Sequence, residues 1–143
     1  MLWIILMQII LELTFQQTSA PRALSAPIAW SSYKISAVSM EPTLKVGESV
    51  RLLRKNPADL KRGDLVIFLY PRDPDQTFVK RLVALPGDTV EVKQDRLILN
   101  GKLQTEDYLQ IKPEMSHSPD FGPFLLKPNQ FFVLGDNRQN SAD

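Results

Sequence analysis

The sequence predicts a mainly β chain, on three observations. A glycine followed by an acid stands just before an apolar run at Gly47-Glu48, Gly63-Asp64 and Gly87-Asp88. Glycine adopts the positive φ of a tight turn without steric cost, so these read as repeated strand-entry punctuation, too short for a structural repeat. The segments ESVRLLR, GDLVIFLY, TFVKRLVAL and QFFVLGD have the β-branched and apolar content of strands. Eleven prolines against six glycines in 143 residues suit strands and irregular connections better than long helices.

The elements follow in chain order. The opening run MLWIILMQIILELTF is almost wholly apolar, contains Glu12, and has no basic residue before it. A membrane span needs about 20 such residues. Residues 1–16 are therefore read as an N-terminal apolar helix, a short or incomplete membrane anchor. A signal peptide would carry a positive n-region, which is missing; a buried helix is the third reading. Residues 17–33, rich in Ser, Ala and Pro, read as an extended linker. A domain over 34–143 follows. Within it DTVEVKQDRLILNGKLQ predicts a hairpin that turns at Gln94-Asp95 and turns again at Asn100-Gly101. Residues 105–128 carry prolines and mixed polarity and read as a loop-rich insertion. No helix is predicted after residue 16.

Composition excludes several classes of function. A net charge of +1 gives no electrostatic footprint for nucleic acid. The absence of cysteine excludes thiolate catalysis and disulfides. His117 is the single histidine, so a histidine-based metal site has no second imidazole, and a Ser-His pair would depend on it alone. It lies in SHSPDFGP, which has the signature of a loop.

The stretch SAVSMEPTL places Ser39 in a nearly uncharged segment, with Pro42 fixing the chain just beyond it. Ser39 is either a turn residue or a nucleophile, and serine is a weak nucleophile without a base to take its proton. The carboxylates stand mostly at turn positions. Lys80 differs. In TFVKRLVAL a strand puts Phe78, Lys80 and Leu82 on one face and Val79, Arg81 and Val83 on the other. Apolar flanks disfavour the charged ammonium, which is the direction a general base requires. Pattern alone also admits a lysine that runs its ammonium out to water from an edge strand.

SMEPTL, then KRLVALPGD, then GDNRQNSAD, in that order, resemble bacterial type I signal peptidase, a Ser/Lys protease family, from residue 36 to the end of the sequence. The resemblance implies an antiparallel β-sheet body with a smaller β appendage. It assigns Ser39 as nucleophile and Lys80 as general base. It further implies that Met40 packs beside the nucleophile, Arg81 pairs with Asp136, Ser141 hydrogen-bonds the base amine, and Asp143 structures the site. There are two departures. Ala37 stands where many members have a serine whose hydroxyl helps hold the oxyanion. The sequence stops at Asp143, where the family motif continues with Ser-Arg, which reads as a fragment or as a shortened copy whose activity the sequence leaves open.

The function implied is an endopeptidase that removes signal peptides with small residues before the cut from exported preproteins. The chain would be anchored once in the membrane lipid, with its catalytic body on the outer side. No cofactor, metal or nucleic acid is implied. The alternatives are a truncated relative that binds but does not cut, a self-cleaving repressor-type Ser/Lys protein, and a β-barrel binding module. The repressor type would need a basic helical domain ahead of Ser39, which is missing. The binding module predicts Ser39 and Lys80 far apart.

Overall fold

The computed structural model describes residues 4–6, 31–109 and 119–141. Among these residues ten strands carry the fold: β1 (Ile4–Leu6), β2 (Ser31–Lys34), β3 (Ser49–Leu52), β4 (Leu65–Tyr70), β5 (Asp73–Ala84), β6 (Thr89–Lys93), β7 (Arg96–Leu99), β8 (Lys102–Leu103), β9 (Phe121–Leu125) and β10 (Gln130–Leu134). They form a sheet of order β1-β10-β5-β4, a β2-β3 pair, and a second four-stranded sheet of order β8-β7-β6-β9. Every pairing is antiparallel. The mainly β prediction holds, and the helical segments among the described residues are single 3₁₀ turns such as Val38–Met40.

Two clusters hold the sheets. Val83 and Ala84 of β5 and Phe132 and Leu134 of β10 pack with Val90, Val92, Leu97, Leu99 and Leu126. This cluster joins the first sheet to the second. Leu82, Phe131 and Val133 form the other cluster, with Leu60, Val66, Phe68 and Leu85 against it. Adjacent residues of β10 thus face different clusters, and all five of its residues are buried. That is why QFFVL reads as a continuous apolar run rather than an alternation.

The three Gly-acid turns share one construction. Gly47, Gly63 and Gly87 have φ of 89°, 93° and 89°, with open space where a Cβ would stand. Backbone conformation, not crowding, therefore selects glycine. In each turn the acid's N–H donates to the carbonyl three residues back, from Glu48 to Lys45, Asp64 to Lys61 and Asp88 to Leu85. Each acid side chain accepts in return from the N–H of that same residue. A fourth copy, not evident in the sequence, runs from Lys127 to Gln130. Asn129 takes the glycine's place at φ 63°, and the Gln130 side chain accepts from the Lys127 N–H at 2.7 Å. Asparagine tolerates the left-handed region and an amide oxygen replaces the carboxylate, so the Gly-acid pattern does not reveal it.

The hairpin forms as predicted. Gln94 and Asp95 both have positive φ, as do Asn100 and Gly101, which is what tight two-residue hairpin turns require. Two boundaries shift. Ser31–Lys34 is a strand, although the predicted linker extends to residue 33. Phe121–Leu125 is a strand inside the predicted insertion. Among the described residues it is an edge strand, paired with β6 alone, and an edge tolerates Pro123, which lacks the N–H a central strand needs. Of the predicted N-terminal helix, Ile4–Leu6 is described, and it is extended and paired with β10. Residues 7–30 and 110–118, including His117, lie outside the described residues. Among the described residues no helix is long and apolar enough to cross a membrane.

Asp88 ties the turn ahead of β4 to the second sheet. Its carboxylate accepts from Arg62 Nε at 3.0 Å, Leu85 N–H at 2.8 Å and Asn100 Nδ2 at 2.9 Å. Burial works against the charged form, yet Arg62, the Leu85 N–H and Asn100 outweigh it and hold the carboxyl below its ordinary value of 3.8. Arg62 is half exposed, so its ion pair contributes little to stability alone; its hydrogen bond leads the lowering of the carboxyl, followed by those of Leu85 and Asn100. Asp88→Asn is expected to lose roughly 1–3 kcal/mol at pH 7. A carboxyl depressed in the folded state stabilises above its unfolded value and loses that contribution as pH falls through the folded one. The gap between the two proteins in urea titrations should therefore be full at neutral pH and close below about pH 4. A gap that stays constant down to about pH 2.5 would refute the assignment.

Candidate active site

Ser39 sits in the middle of the Val38–Met40 3₁₀ turn, half-buried. Met40 beside it is 1% exposed and belongs to the core. The turn is held from both ends of its neighbourhood. Glu41 N–H donates to Val38 O, and Leu44 N–H to Met40 O. From the other side of the molecule Asn137 donates its backbone N–H to Ser39 O at 2.9 Å and its Nδ2 to Val38 O at 3.2 Å. Sequence reasoning does not single out Asn137. Its position in the GDN run is visible, but a bond to a backbone carbonyl leaves no mark on the residue that accepts it.

Lys80 lies on β5 opposite Val66 of β4. It is 3% exposed, so the reading in which its ammonium reaches water does not hold. The expected alternation puts Phe78 beside it, and the amine stands 5.8 Å from the centroid of the Phe78 ring. Lys80 Nζ donates to Ser141 Oγ in a short hydrogen bond, the contact expected of Ser141. Gly135 permits this approach: a Cβ there would stand 2.2 Å from Ser141 Oγ and 2.7 Å from Ser39 O. Its requirement is space, unlike the turn glycines.

Ser39 and Lys80 line one cleft of about 190 Å³, with Tyr33, Ile35, Ala37, Phe78 and Val79 among its other walls. Tyr33 Oη donates to Thr77 O at 3.3 Å, joining β2 to β5 beside it. A shared cleft is the opposite of the wide separation that a binding module predicts.

Arg81, on the opposite face of β5, pairs with Asp136 as expected. Nε reaches Oδ1 at 2.8 Å and Nη2 reaches Oδ2 at 2.7 Å. Thr43 Oγ1, from the Ser39 loop, also donates to Asp136 Oδ2 at 2.5 Å. The hydrogen bond with Asp136 pushes the Arg81 guanidinium above its ordinary value, against the effect of burial. Thr43 is the second site residue that the sequence does not single out. Asp136 and Asn137 thus hold the Ser39 segment, Asp136 through its side chain at Thr43 and Asn137 through both its backbone and its side chain at Ser39 and Val38. Asp143 lies outside the described residues.

The fold and the cleft define a class: an antiparallel β protein with a serine hydroxyl and a buried lysine amine on one apolar groove. A family profile described as signal peptidase, peptidase S26, matches residues 5–143, and the chain belongs to that family. It is 42% identical to signal peptidase I P of Bacillus subtilis subsp. natto, over 78% of this chain and 64% of that protein. It is 38% identical to signal peptidase I S of Bacillus subtilis (strain 168), over 80% of this chain and 65% of that one. The chain thus spans a little under two thirds of the length of these curated relatives. A crystal structure of a signal peptidase I from Enterococcus faecalis V583 matches with a TM-score of 0.50 at 34% identity, covering 59% of this chain and 83% of that one.

Proposed function

We propose that the chain is a serine endopeptidase that removes signal peptides from exported preproteins at the membrane surface. Ser39 is its nucleophile and Lys80 its general base. The observation that carries this reading is the shared cleft, with the Lys80 amine buried and held by Ser141. The base form of the amine takes the proton from Ser39, and the serine oxygen attacks the scissile carbonyl. The developing oxyanion is held by backbone N–H groups of the turn around Ser39, since Ala37 brings no hydroxyl. The protonated amine returns its proton to the leaving amine, and an acyl-enzyme remains. Water, deprotonated by Lys80, then attacks the ester carbonyl; the bond to the Ser39 oxygen breaks, Lys80 returns the proton to that oxygen, and the acid is released.

The substrate is read as an extended segment. β10 pairs with β5 at Arg81, Leu82 and Ala84, so residues 77–80 have only β4 as strand partner among the described residues. A peptide strand laid along that open side would bring its backbone to Ser39. The apolar walls and small volume suit alanine-sized side chains before the cut. The catalytic body is taken to act on the outer side of the membrane; Ile4–Leu6, paired with β10, belongs to that body and not to a spanning helix. The alternative of a relative that binds without cutting gains nothing from this geometry, which gathers hydroxyl, amine and Ser141 in one place.

The test is cleavage of a detergent-solubilised preprotein, with the cut site read by mass spectrometry. A single cut after a small residue, absent with Ser39→Ala, is the expected result. Equal cutting by Ser39→Ala, or no cutting by the unaltered chain, would overturn the reading.

A further inference from the structure

Outside the cleft, a second buried network lies where the sequence predicts only an insertion. Glu106 and Tyr108 follow β8. Glu106 Oε1 accepts from Arg138 Nη2 at 2.5 Å and from Tyr108 Oη at 2.5 Å. The Glu106 and Arg138 side chains are 6% and 8% exposed. Arg138 also donates from Nε to Gly135 O at 2.8 Å and from Nη1 to Asp95 O at 3.0 Å. The Tyr108 ring lies beneath the Arg81 guanidinium, 4.1 Å from its Cζ. Burial, with Glu106 beside it, keeps the Tyr108 hydroxyl protonated well above its ordinary range, so it remains a donor to the carboxylate.

Gly135, Asp136 and Arg138, in the segment that leads to Ser141, are therefore tied to one carboxylate, Arg138 directly and Asp136 through Arg81 and Tyr108. Arg138 opens the 3₁₀ turn Arg138–Asn140, directly ahead of Ser141, and it clasps the carbonyl of Gly135. Arg81 holds Asp136 and stacks on Tyr108. A guanidinium with three fixed partners has little freedom to shift, and a buried one is costly to leave unpaired. We propose that Glu106 and Tyr108 are positioning residues for the cleft. They act through Arg138 and Arg81 to fix the 135–141 segment, and thereby the hydroxyl of Ser141 against the Lys80 amine. The proposal rests on the reading of Ser39 and Lys80 as the reacting pair. It assigns to the second sheet a role in the first sheet's chemistry: Glu106 Oε2 accepts from the Leu97 N–H of β7 at 3.4 Å, so the carboxylate is itself fastened to that sheet.

The experiment compares the full chain with Glu106→Gln and Tyr108→Phe. Glutamine keeps an acceptor of nearly the same shape and removes the charge. Phenylalanine keeps the ring under Arg81 and removes only the donor, so it serves if the glutamine variant fails to fold. The first readout is amide hydrogen exchange at Asn137 and Asn140, whose N–H groups bond to Ser39 O and Asn137 O. Exchange there should speed up by about tenfold or more in Glu106→Gln, and less in Tyr108→Phe, while β6 and β7 amides stay within about twofold. The second is preprotein cleavage per mole of folded protein. The kcat should fall by roughly tenfold to a hundredfold with KM within about twofold, as for a misplaced catalytic group. Unchanged exchange at Asn137 and Asn140 overturns the proposal. So does acceleration shared equally by β6 and β7, which is general loosening. If the unaltered chain does not cut, the reacting-pair reading fails, and the exchange comparison still decides whether Glu106 fixes the segment.

Discussion

Replacing Ser39 by Ala, Lys80 by Met, or both together is expected to give three proteins of nearly equal and very low activity. Each single loss should be at least about a thousandfold, and the double no worse. The reason is that, in the proposed mechanism, the two groups perform one event. Without the amine, Ser39 is an ordinary alcohol with nowhere to send its proton. Without the hydroxyl, the amine has no proton to take. What survives in all three is substrate binding and whatever the backbone donors around Ser39 supply, and that remainder is common to them. Lys80→Met suits the test because the site is 3% exposed and walled by Phe78 and Val79, where a thioether of similar length packs without leaving a charge unsatisfied. Its folded stability should not fall, which separates a chemical loss from a structural one. The measurement is single-turnover cleavage of a preprotein in detergent by the three variants at matched folded concentration. Losses that multiply in the double variant, or more than a tenth of the activity in either single variant, would show that Ser39 and Lys80 do not work as a unit.

Arg81→Met is expected to be the most destabilising single change near the cleft, by about 3–5 kcal/mol. The Asp136 side chain is fully enclosed, while Arg81 is 13% exposed. Removing the guanidinium leaves a carboxylate out of water with the Thr43 hydroxyl in place of three donors. It also frees Gly63 O, which Arg81 Nη1 reaches at 3.0 Å. The penalty belongs mainly to the orphaned charge, so Asp136→Asn in the Arg81→Met background should recover a good part of it. Arg81→Lys should fall between, since a single ammonium cannot present the two parallel N–H groups of the fork. Urea denaturation of the four proteins at pH 7 decides the matter. If Arg81→Met unfolds within about 1 kcal/mol of the unaltered chain, or if the double variant is no better than the single, Asp136 is not held as described.

What the sequence determines by itself is what depends on short-range backbone constraint. Gly47, Gly63 and Gly87 announce their turns because positive φ is a local demand that few residues meet. Asn100-Gly101 announces the hairpin for the same reason, and the two-residue period of a strand is enough to put Lys80 beside Phe78 in TFVKRLVAL. Ser39 and Lys80 stand out as candidates because they lie in compact motifs that resemble a known family. Tertiary structure alone decides the contacts across long stretches of chain. Thr43 meets Asp136 over 93 residues and Glu106 meets Arg138 over 32, while the Arg81–Asp136 pair, over 55, is expected only through the family resemblance. No local rule distinguishes these residues from solvated ones, because a threonine or glutamate looks the same in sequence whether its oxygen faces water or a buried guanidinium. The same holds for β9, where Pro123 argues for a loop and the topology makes the strand an edge. A proline's missing donor matters only where a neighbouring strand would ask for it, and which strands are neighbours is settled by the packing of the two sheets around Phe132 and Val90.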